Sequence, residues 1–265
     1  MSIDKIISEI SSFVWGYPLL LILIGGGLYL LIISRFIPFK YFFHAIDIIR
    51  GKFDDKKSDG EISHFQALTT ALSATVGMGN IAGVAVAISI GGPGAIFWMW
   101  ISGLIGMSTK FFTSALAVMY RGVDSAGNKQ GGPMYFIVNG LGKKWLPMAV
   151  FFSFCGLVGA LPVFNVNQLT QAINDIILRP NGVEVGLFSN TIIGLLLIIL
   201  TSIVILGGLK KISKVSAKLV PFMVGIYIIS VLIILIVNYD KLPEYLILIF
   251  YDAFNADYYS GNSAL

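Results

Sequence analysis

The chain has 265 residues, of which 56% are hydrophobic and only 12% are charged. Soluble domains average roughly 45–50% apolar and 25% charged residues, so this composition excludes a soluble globular domain and predicts an all-α polytopic protein of the lipid bilayer. The net charge of +4 comes from basic residues in short loops between apolar segments, which indicates membrane topology and excludes a nucleic-acid-binding domain.

Six apolar segments are long enough to cross a hydrocarbon core of about 30 Å as helices. They lie at 14–33, 66–90, 95–120, 145–178, 190–207 and 219–237. The run Gly25-Gly26-Gly27 in the first segment predicts a close contact with another helix. Shorter apolar stretches at 39–49, 131–138 and 244–254 predict a surface helix, a short inner helix and an amphipathic patch in the tail.

The second apolar segment, 66–90, carries Val76-Gly77-Met78-Gly79-Asn80 at its centre. Each glycine costs about 1 kcal/mol of helix propensity relative to alanine, and the asparagine side chain competes for backbone hydrogen bonds, so we predict a break. A broken membrane helix must lie beside protein or a water-filled cavity, where its freed N–H groups suit an anion and its freed carbonyls a small cation. The alternative is that the small residues only allow close helix packing.

Fourteen of the eighteen Lys and Arg residues fall in three connecting loops. Those loops hold Arg35, Lys40, Arg50, Lys52, Lys56 and Lys57, then Arg121, Lys129, Lys143 and Lys144, then Lys210, Lys211, Lys214 and Lys218. The positive-inside rule assigns all three loops to the cytoplasm. This predicts a multi-pass protein of the cell membrane with its amino terminus outside.

Polar side chains at membrane depth are few, and each is a candidate for function. Lys110 is one candidate; the alternative is a structural lysine whose long side chain reaches towards the membrane surface. The fourth segment carries a second group, Asn165, Asn167, Gln168, Thr170, Gln171, Asn174 and Asp175.

The helical spacing of this second group places Asn165 and Gln168 on one face, and Gln171 and Asp175 continue it. Burying several amides against lipid would cost several kcal/mol, so we expect this face to meet the cavity at the break. Gln168 is the residue that we expect to contact a substrate. The alternative for the group is hydrogen bonding between helices.

The chain carries none of the residue patterns expected of an enzyme. His44 and His64 lie in the first charged loop without a partner at metal-binding spacing, and Cys155 is the single cysteine. A nucleophile elbow, a phosphate-binding loop and a dinucleotide fingerprint are all absent from the sequence. We therefore expect no catalytic residue.

Three stretches resemble the sodium:alanine or glycine symporter family. They are FQALTTALSATVGMGNIAGVAVAISIGGPGAIFWMWISGLIGMSTK at 65–110, GGPMYFI at 131–137 and ILGGLKKISKVSAKLVPFM at 205–223. Together they span most of the chain. The resemblance implies sodium-coupled symport of a small neutral amino acid, alanine or glycine, by alternating access, with sodium as the coupling ion and no cofactor.

The resemblance also implies a fold of two inverted five-helix repeats with one extra helix in front. Within a single membrane domain, 1–265, the extra helix would be 14–33, the first repeat 66–237 with its broken helix at 66–90, and the outer tail 238–265. No second broken segment occurs before Leu265, so the second repeat is expected to be a missing partner. The alternative function is a truncated half that pairs with such a partner and transports nothing alone.

The family likeness further implies the binding groups at the break. Gly77 would be one of the substrate-binding residues. The backbone N–H groups of Met78, Gly79 and Asn80 would hold the carboxylate of the amino acid, and the carbonyl of Thr75 would accept from its ammonium group. Carbonyls of Ser73 and Val76 would line a sodium site, with Thr75 and Asn80 as candidates for a second, and Gln168 would cover the substrate. Met78 departs from the Thr usual in the family, so its larger side chain would shrink the pocket or shift the preference between glycine and alanine.

Overall fold

The computed structural model describes residues 3–53, 62–123, 127 and 129–255, and most of them are helical. Lys56, Lys57 and the outer tail beyond Asn255 lie outside the described residues. The chain divides into two compact units, the first drawn from Met1–Phe42 with Trp98–Leu161 and the second from Phe43–Phe97 with Pro162–Leu265.

Helices make up most of the described chain. In chain order they are α1 (Ile3–Val14), α2 (Tyr17–Leu20), α3 (Gly26–Ile33), α4 (Ile37–Lys40), α5 (Phe42–Ile49), α6 (His64–Thr75), α7 (Met78–Gly91), α8 (Gly94–Met119), α9 (Pro133–Leu141), α10 (Leu146–Gly159), α11 (Val163–Ile173), α12 (Leu187–Ile205), α13 (Gly208–Val237) and α14 (Leu242–Phe254). Leu21–Gly25 and Asn174–Leu178 are π-helical. Lys143–Trp145, Arg179–Asn181 and Tyr239–Lys241 are 3-10 turns, and strands β1 (Gly122–Val123) and β2 (Lys129–Gln130) pair antiparallel.

Five helical segments of the described chain are long and apolar enough to cross a membrane, and one bent pair of helices makes a sixth. They are Asp4–Ile33, Gly94–Met119, Lys143–Asn181, Leu187–Ile205 and Gly208–Val237, with His64–Thr75 and Met78–Gly91 as the bent pair. The predicted class, an all-α polytopic membrane protein, is confirmed. The division into an extra helix and one repeat stays a prediction.

Three of these segments extend beyond the predicted apolar windows. The first begins at Asp4 rather than at residue 14, the last begins at Gly208 rather than at 219, and the fourth covers 143–181 rather than 145–178. An apolar window locates only the part of a helix that lies in hydrocarbon. The helical backbone continues past it, because residues such as Lys and Glu are good helix formers.

In the first unit, the glycine run packs against α8. A Cβ on Gly27 would lie 2.5 Å from Ile105 Cγ2 and 3.1 Å from Thr109 Oγ1, whereas Gly25 and Gly26 have no such neighbour within 4 Å among the atoms described. The prediction of a close helix contact is therefore confirmed at Gly27. On the next loop, Asn139 of α9 donates to the carbonyl of Tyr120 at 3.2 Å, which ties this short helix to the end of α8.

In the second unit, both halves of the bent pair have a helical neighbour. A capping box starts α6: the Gln66 N–H donates to Ser63 Oγ at 3.2 Å and the Ser63 N–H donates to Gln66 Oε1 at 3.1 Å. Helix α6 packs along α13, and α7 packs against α11, which also contacts α12. The bent pair is thus held by separate neighbours on its two sides.

The tail helix α14 is fixed to the beginning of α8, within the same unit. Asp252 is 5% exposed, and its Oδ2 accepts from the Gly94 N–H at 2.8 Å. The ring centroid of Phe97 lies 5.5 Å from the ring centroid of Phe250 and 5.2 Å from that of Phe254. The predicted amphipathic patch at 244–254 is therefore a helix whose last two turns cap α8.

Candidate functional site

The bent pair breaks where the glycine-containing centre predicts it. Helix α6 ends at Thr75, Val76 has φ −105° and ψ 91°, Gly77 has φ −147° and ψ 170°, and α7 begins at Met78. The two helices are bent by 47°. Any residue adopts the extended backbone of Gly77, so this glycine is not required by its dihedral angles. The prediction of a break rather than a continuous packed helix is confirmed.

Asn80 bridges the break from the side of α7. Its Nδ2 donates to the carbonyl of Thr75, the last residue of α6. Its backbone N–H donates to the carbonyl of Gly77 at 3.1 Å, as does that of Ile81. The Thr75 carbonyl, predicted to accept from a substrate ammonium group, therefore accepts from the Asn80 amide in this structure.

The first N–H groups of α7 meet helix α11. The Gly79 N–H donates to Asn165 Oδ1 at 3.1 Å, across 86 residues of sequence. Gly79 is buried, and a Cβ there would collide with Asn165 Oδ1 and approach Phe164 Cδ1 to 3.0 Å. The Met78 N–H has no hydrogen-bond partner within the described chain. Of the three predicted carboxylate donors, the Met78 N–H is therefore free, the Gly79 N–H meets Asn165 and the Asn80 N–H pairs with Gly77.

At the end of α6, some of the freed backbone carbonyls are paired and others are unpaired. Within the described residues, the carbonyls of Ser73 and Val76, predicted to line a sodium site, accept no hydrogen bond. The hydroxyl groups are used locally: Ser73 Oγ donates to Thr70 O at 2.6 Å, and Thr75 Oγ1 donates to Leu72 O at 3.2 Å. The unpaired oxygens at the break are therefore backbone oxygens.

The polar residues that begin on α11 have partners of three kinds. Asn165 reaches the break, which confirms the expectation that this face meets it. Asn174 is 6% exposed and its Nδ2 donates to Asn190 Oδ1 at 2.9 Å, which is the alternative of hydrogen bonding between helices. Asp175 pairs with Arg179 at 2.8 Å near the end of the segment.

Gln168 lies about one turn beyond Asn165 on α11 and is half-buried. Its side chain makes no hydrogen bond to the described part of the chain, so its amide is available. From the sequence, Gln168 is the expected substrate contact, and Asn165 has no separate role. The signal for Asn165 was its place at the start of the polar face, just after Pro162, where α11 begins.

Lys110, the other polar candidate, lies on α8 in the first unit. With Leu23 and Ile24 opposite, it lines a cleft of about 320 Å³ that also includes Thr109 and Thr113. Lys110 itself is exposed. The choice between a functional and a structural lysine stays a prediction.

A sequence model described as "Sodium:alanine symporter family" matches residues 1–264. The chain belongs to this family. The sodium/alanine symporter AgcS of Methanococcus maripaludis is 42% identical to it over 257 residues, 96% of this chain and 55% of the relative. An uncharacterized transporter of Haemophilus influenzae is 42% identical over 260 residues, 96% of this chain and 54% of the relative. The amino-acid carrier protein AlsT of Bacillus subtilis is 38% identical over 242 residues, 91% of this chain and 49% of the relative.

Membership of the sodium:alanine symporter family confirms the resemblance seen at 65–110, 131–137 and 205–223, and the relatives compared are named as symporters, carriers or transporters rather than as enzymes. The chain spans about half the length of the curated relatives it matches. In this member of the symporter family, the residues Thr75–Asn80 and Asn165 are brought together around one opened stretch of backbone.

Proposed function

We propose that these residues form the binding part of a sodium-coupled symporter that moves a small neutral amino acid, alanine or glycine, across the cell membrane by alternating access. The observation that carries the proposal is the break between Thr75 and Met78, where one helix end offers N–H groups and the other offers carbonyls. Amino acids in solution carry one anionic and one cationic group, so the two helix ends match the ligand's two charges.

The N-terminus of α7 supports binding of the carboxylate. The Met78 N–H is unpaired and the Gly79 N–H meets only a neutral amide, while the aligned peptide dipoles of a 14-residue helix favour an anion at this end. Because Gly79 has no side chain, Asn165 Oδ1 lies directly against its backbone, and a carboxylate oxygen would take the same place. We assign the carboxylate to these two N–H groups, with Asn80 N–H as a third contact when the ligand is bound.

The C-terminus of α6 supports binding of sodium. Hard cations select oxygen ligands, and the carbonyls of Ser73 and Val76 are unpaired oxygens at the negative end of the α6 dipole. We assign one sodium ion to these two carbonyls, and Thr75 and Asn80 remain the candidates for a second sodium site. No cofactor takes part in this proposal.

The proposed transport cycle depends on the two half-helices packing against different helices. Helix α6 has α13 as its neighbour and α7 has α11, so the two halves belong to different packing partners. Sodium and the amino acid together would stabilise an occluded state, because the amino acid contacts both half-helices while sodium holds the carbonyls at the end of α6. Gln168, with its unpaired amide beside the same site, would contact the substrate. The amino terminus is proposed to lie outside, with the three basic loops in the cytoplasm.

The intact protein, reconstituted in liposomes, tests this function directly. An inward sodium gradient should drive uptake of radiolabelled alanine or glycine, and replacing sodium by potassium at the same ionic strength should abolish it. Uptake that persists without sodium and follows a proton gradient would contradict sodium coupling. The same assay tests the alternative, a truncated half that transports nothing alone, which predicts no uptake until a second repeat is supplied.

A further inference from the structure

Two asparagine amides occupy the two backbone groups to which a zwitterion is assigned. Asn165 Oδ1 accepts from the Gly79 N–H at 3.1 Å, and Asn80 Nδ2 donates to the Thr75 carbonyl. The first contact joins α7 to α11 and the second joins α7 to α6. The chemistry of the backbone partners determines the orientation of both amides, because an N–H requires an oxygen opposite it and a carbonyl requires an N–H.

Each amide presents at the break a neutral version of one ligand group. An amide oxygen accepts hydrogen bonds in the plane of its carbonyl, as a carboxylate oxygen does, and an amide NH₂ donates as an ammonium group does. The Gly79 N–H therefore meets an acceptor like the ligand's carboxylate. The Thr75 carbonyl meets a donor like the ligand's ammonium group.

We propose that Asn165 and Asn80 are internal surrogates of the ligand, an inference that rests on the proposed function. In the free protein, Asn165 satisfies the Gly79 N–H and Asn80 satisfies the Thr75 carbonyl. A bound amino acid displaces Asn165 with its carboxylate and Asn80 with its ammonium group. Both asparagine residues are exposed, so their side chains can rotate away without repacking of a core. Gly79 is buried and its backbone stays in place, so the donor is already positioned for the carboxylate.

The exchange favours a ligand that carries both charges. Hydrogen bonds to an ionised partner are roughly twice as strong as those between neutral groups, so each charged end binds its backbone group better than the amide that it displaces. A carboxylate without an amine displaces only Asn165, and an amine without a carboxylate displaces only Asn80. The surrogates therefore select α-amino acids over propionate and ethylamine, which each match one half of alanine.

The test is the dissociation constant of alanine for the intact protein at saturating sodium, measured by calorimetry. Asn165→Ala removes the competitor for the Gly79 N–H, so the Kd should fall about two- to tenfold, the range set by one net neutral hydrogen bond. Asn165→Asp places a charged competitor of the same shape there and should raise the Kd at least about tenfold. Asn167→Ala is the matched control: the same residue type on α11, exposed, with no hydrogen bond within the described chain.

The outcomes separate this inference from the proposed function. If the unaltered protein binds alanine while Asn165→Ala raises the Kd or leaves it unchanged, Asn165 is not a surrogate, although the binding site stands. If the unaltered protein binds neither alanine nor glycine, the proposed function fails and the surrogates with it. Propionate binding as tightly as alanine would overturn the selection for a zwitterion. Thermal melting of each variant identifies a loss of folding, and Asn165→Asp, which changes a single polar atom, guards against it.

Discussion

Asn165 and Asn174 lie nine residues apart in one polar stretch, and their amides have different kinds of partner. Asn165 is exposed and accepts from the Gly79 N–H, a backbone group released by a broken helix. Asn174 is 6% exposed and donates to Asn190, a side chain on the intact helix α12. In the proposed site, the first contact would compete with a ligand for the same backbone group, whereas the second contact joins two side chains.

At membrane depth, the partner of a polar side chain, rather than its residue type, determines what that side chain does. Hydrogen bonds between side chains of packed membrane helices contribute about 0.6 kcal/mol on average, and they serve stability. A hydrogen bond to a freed helix N-terminus also engages the helix dipole, which favours an anion over a neutral amide. The end of the stretch near Asn165 should therefore govern binding, and the end near Asn174 should govern stability.

The largest effect is expected at Gly79. Gly79→Leu places a side chain where Asn165 Oδ1 and Phe164 lie, so α11 must move away and the backbone is no longer open to a carboxylate. Alanine binding to the intact protein should be abolished, beyond about 100-fold in Kd by calorimetry. Gly83→Leu is the control on the same helix, because a Cβ at Gly83 has no such neighbour within 4 Å in the described chain. Normal alanine binding by Gly79→Leu would show that the carboxylate binds elsewhere.

The second-largest effect is a loss of alanine affinity on substitution of Gln168, a residue of α11. Gln168→Ala should weaken alanine binding by about 1–3 kcal/mol, because the substrate group that it contacts loses its partner. Melting temperature should not change, since Gln168 makes no hydrogen bond within the described residues. A drop in melting temperature with an unchanged Kd would reassign Gln168 to helix packing.

At Asn174, the other end of the polar stretch, a substitution should change the free energy of unfolding and leave alanine binding unchanged. Asn174→Ala removes the hydrogen bond to Asn190 and should lower the free energy of unfolding by about 0.6–1.7 kcal/mol. A double-mutant cycle with Asn190→Ala measures this interaction in detergent unfolding. Alanine affinity should be the same as in the unaltered protein, and a weakened affinity would mean that the two ends are not functionally distinct.

The smallest effect concerns selectivity at the first residue of α7. Met78 is 41% exposed and follows the break directly. Met78→Thr shortens this side chain and should shift the ratio of alanine to glycine affinity towards alanine by up to about tenfold, the scale of a methylene-sized change in a pocket. An unchanged ratio in competition binding would show that the Met78 side chain does not border the substrate.

The parts of the fold that depend on local composition were predictable from the sequence. The apolar windows located the membrane-crossing segments, and the Gly-X-Gly-Asn centre located the break to within two residues, because both depend on residues close together in the chain. The helix ends were less predictable: α13 begins at Gly208, since its lysines continue the helix ahead of the apolar window. Charged residues there reveal where the bilayer ends, not where the helix begins.

The contacts at the site were only half predictable. Helical spacing put Asn165 and Gln168 on one face, but it did not reveal which of them meets Gly79, because that depends on how α11 lies against α7. The Asn80 bridge to Thr75 was also missed, since the same residues were assigned to the ligand and the ion. Both misses concern backbone groups that the chain's own side chains satisfy.

The most direct measurement is the distance between the backbone nitrogen of Gly79 and the carboxylate carbon of bound alanine. Met78-Gly79 is the single Met-Gly pair among the 265 residues, so ¹³C-carbonyl methionine with ¹⁵N-glycine labels this one peptide group within the chain for solid-state NMR. With ¹³C-carboxyl alanine bound in the presence of sodium, we expect a separation of about 4 Å or less, as a hydrogen bond from Gly79 requires. Saturated binding with a separation beyond about 7 Å would contradict the claim that the opened backbone holds the amino acid.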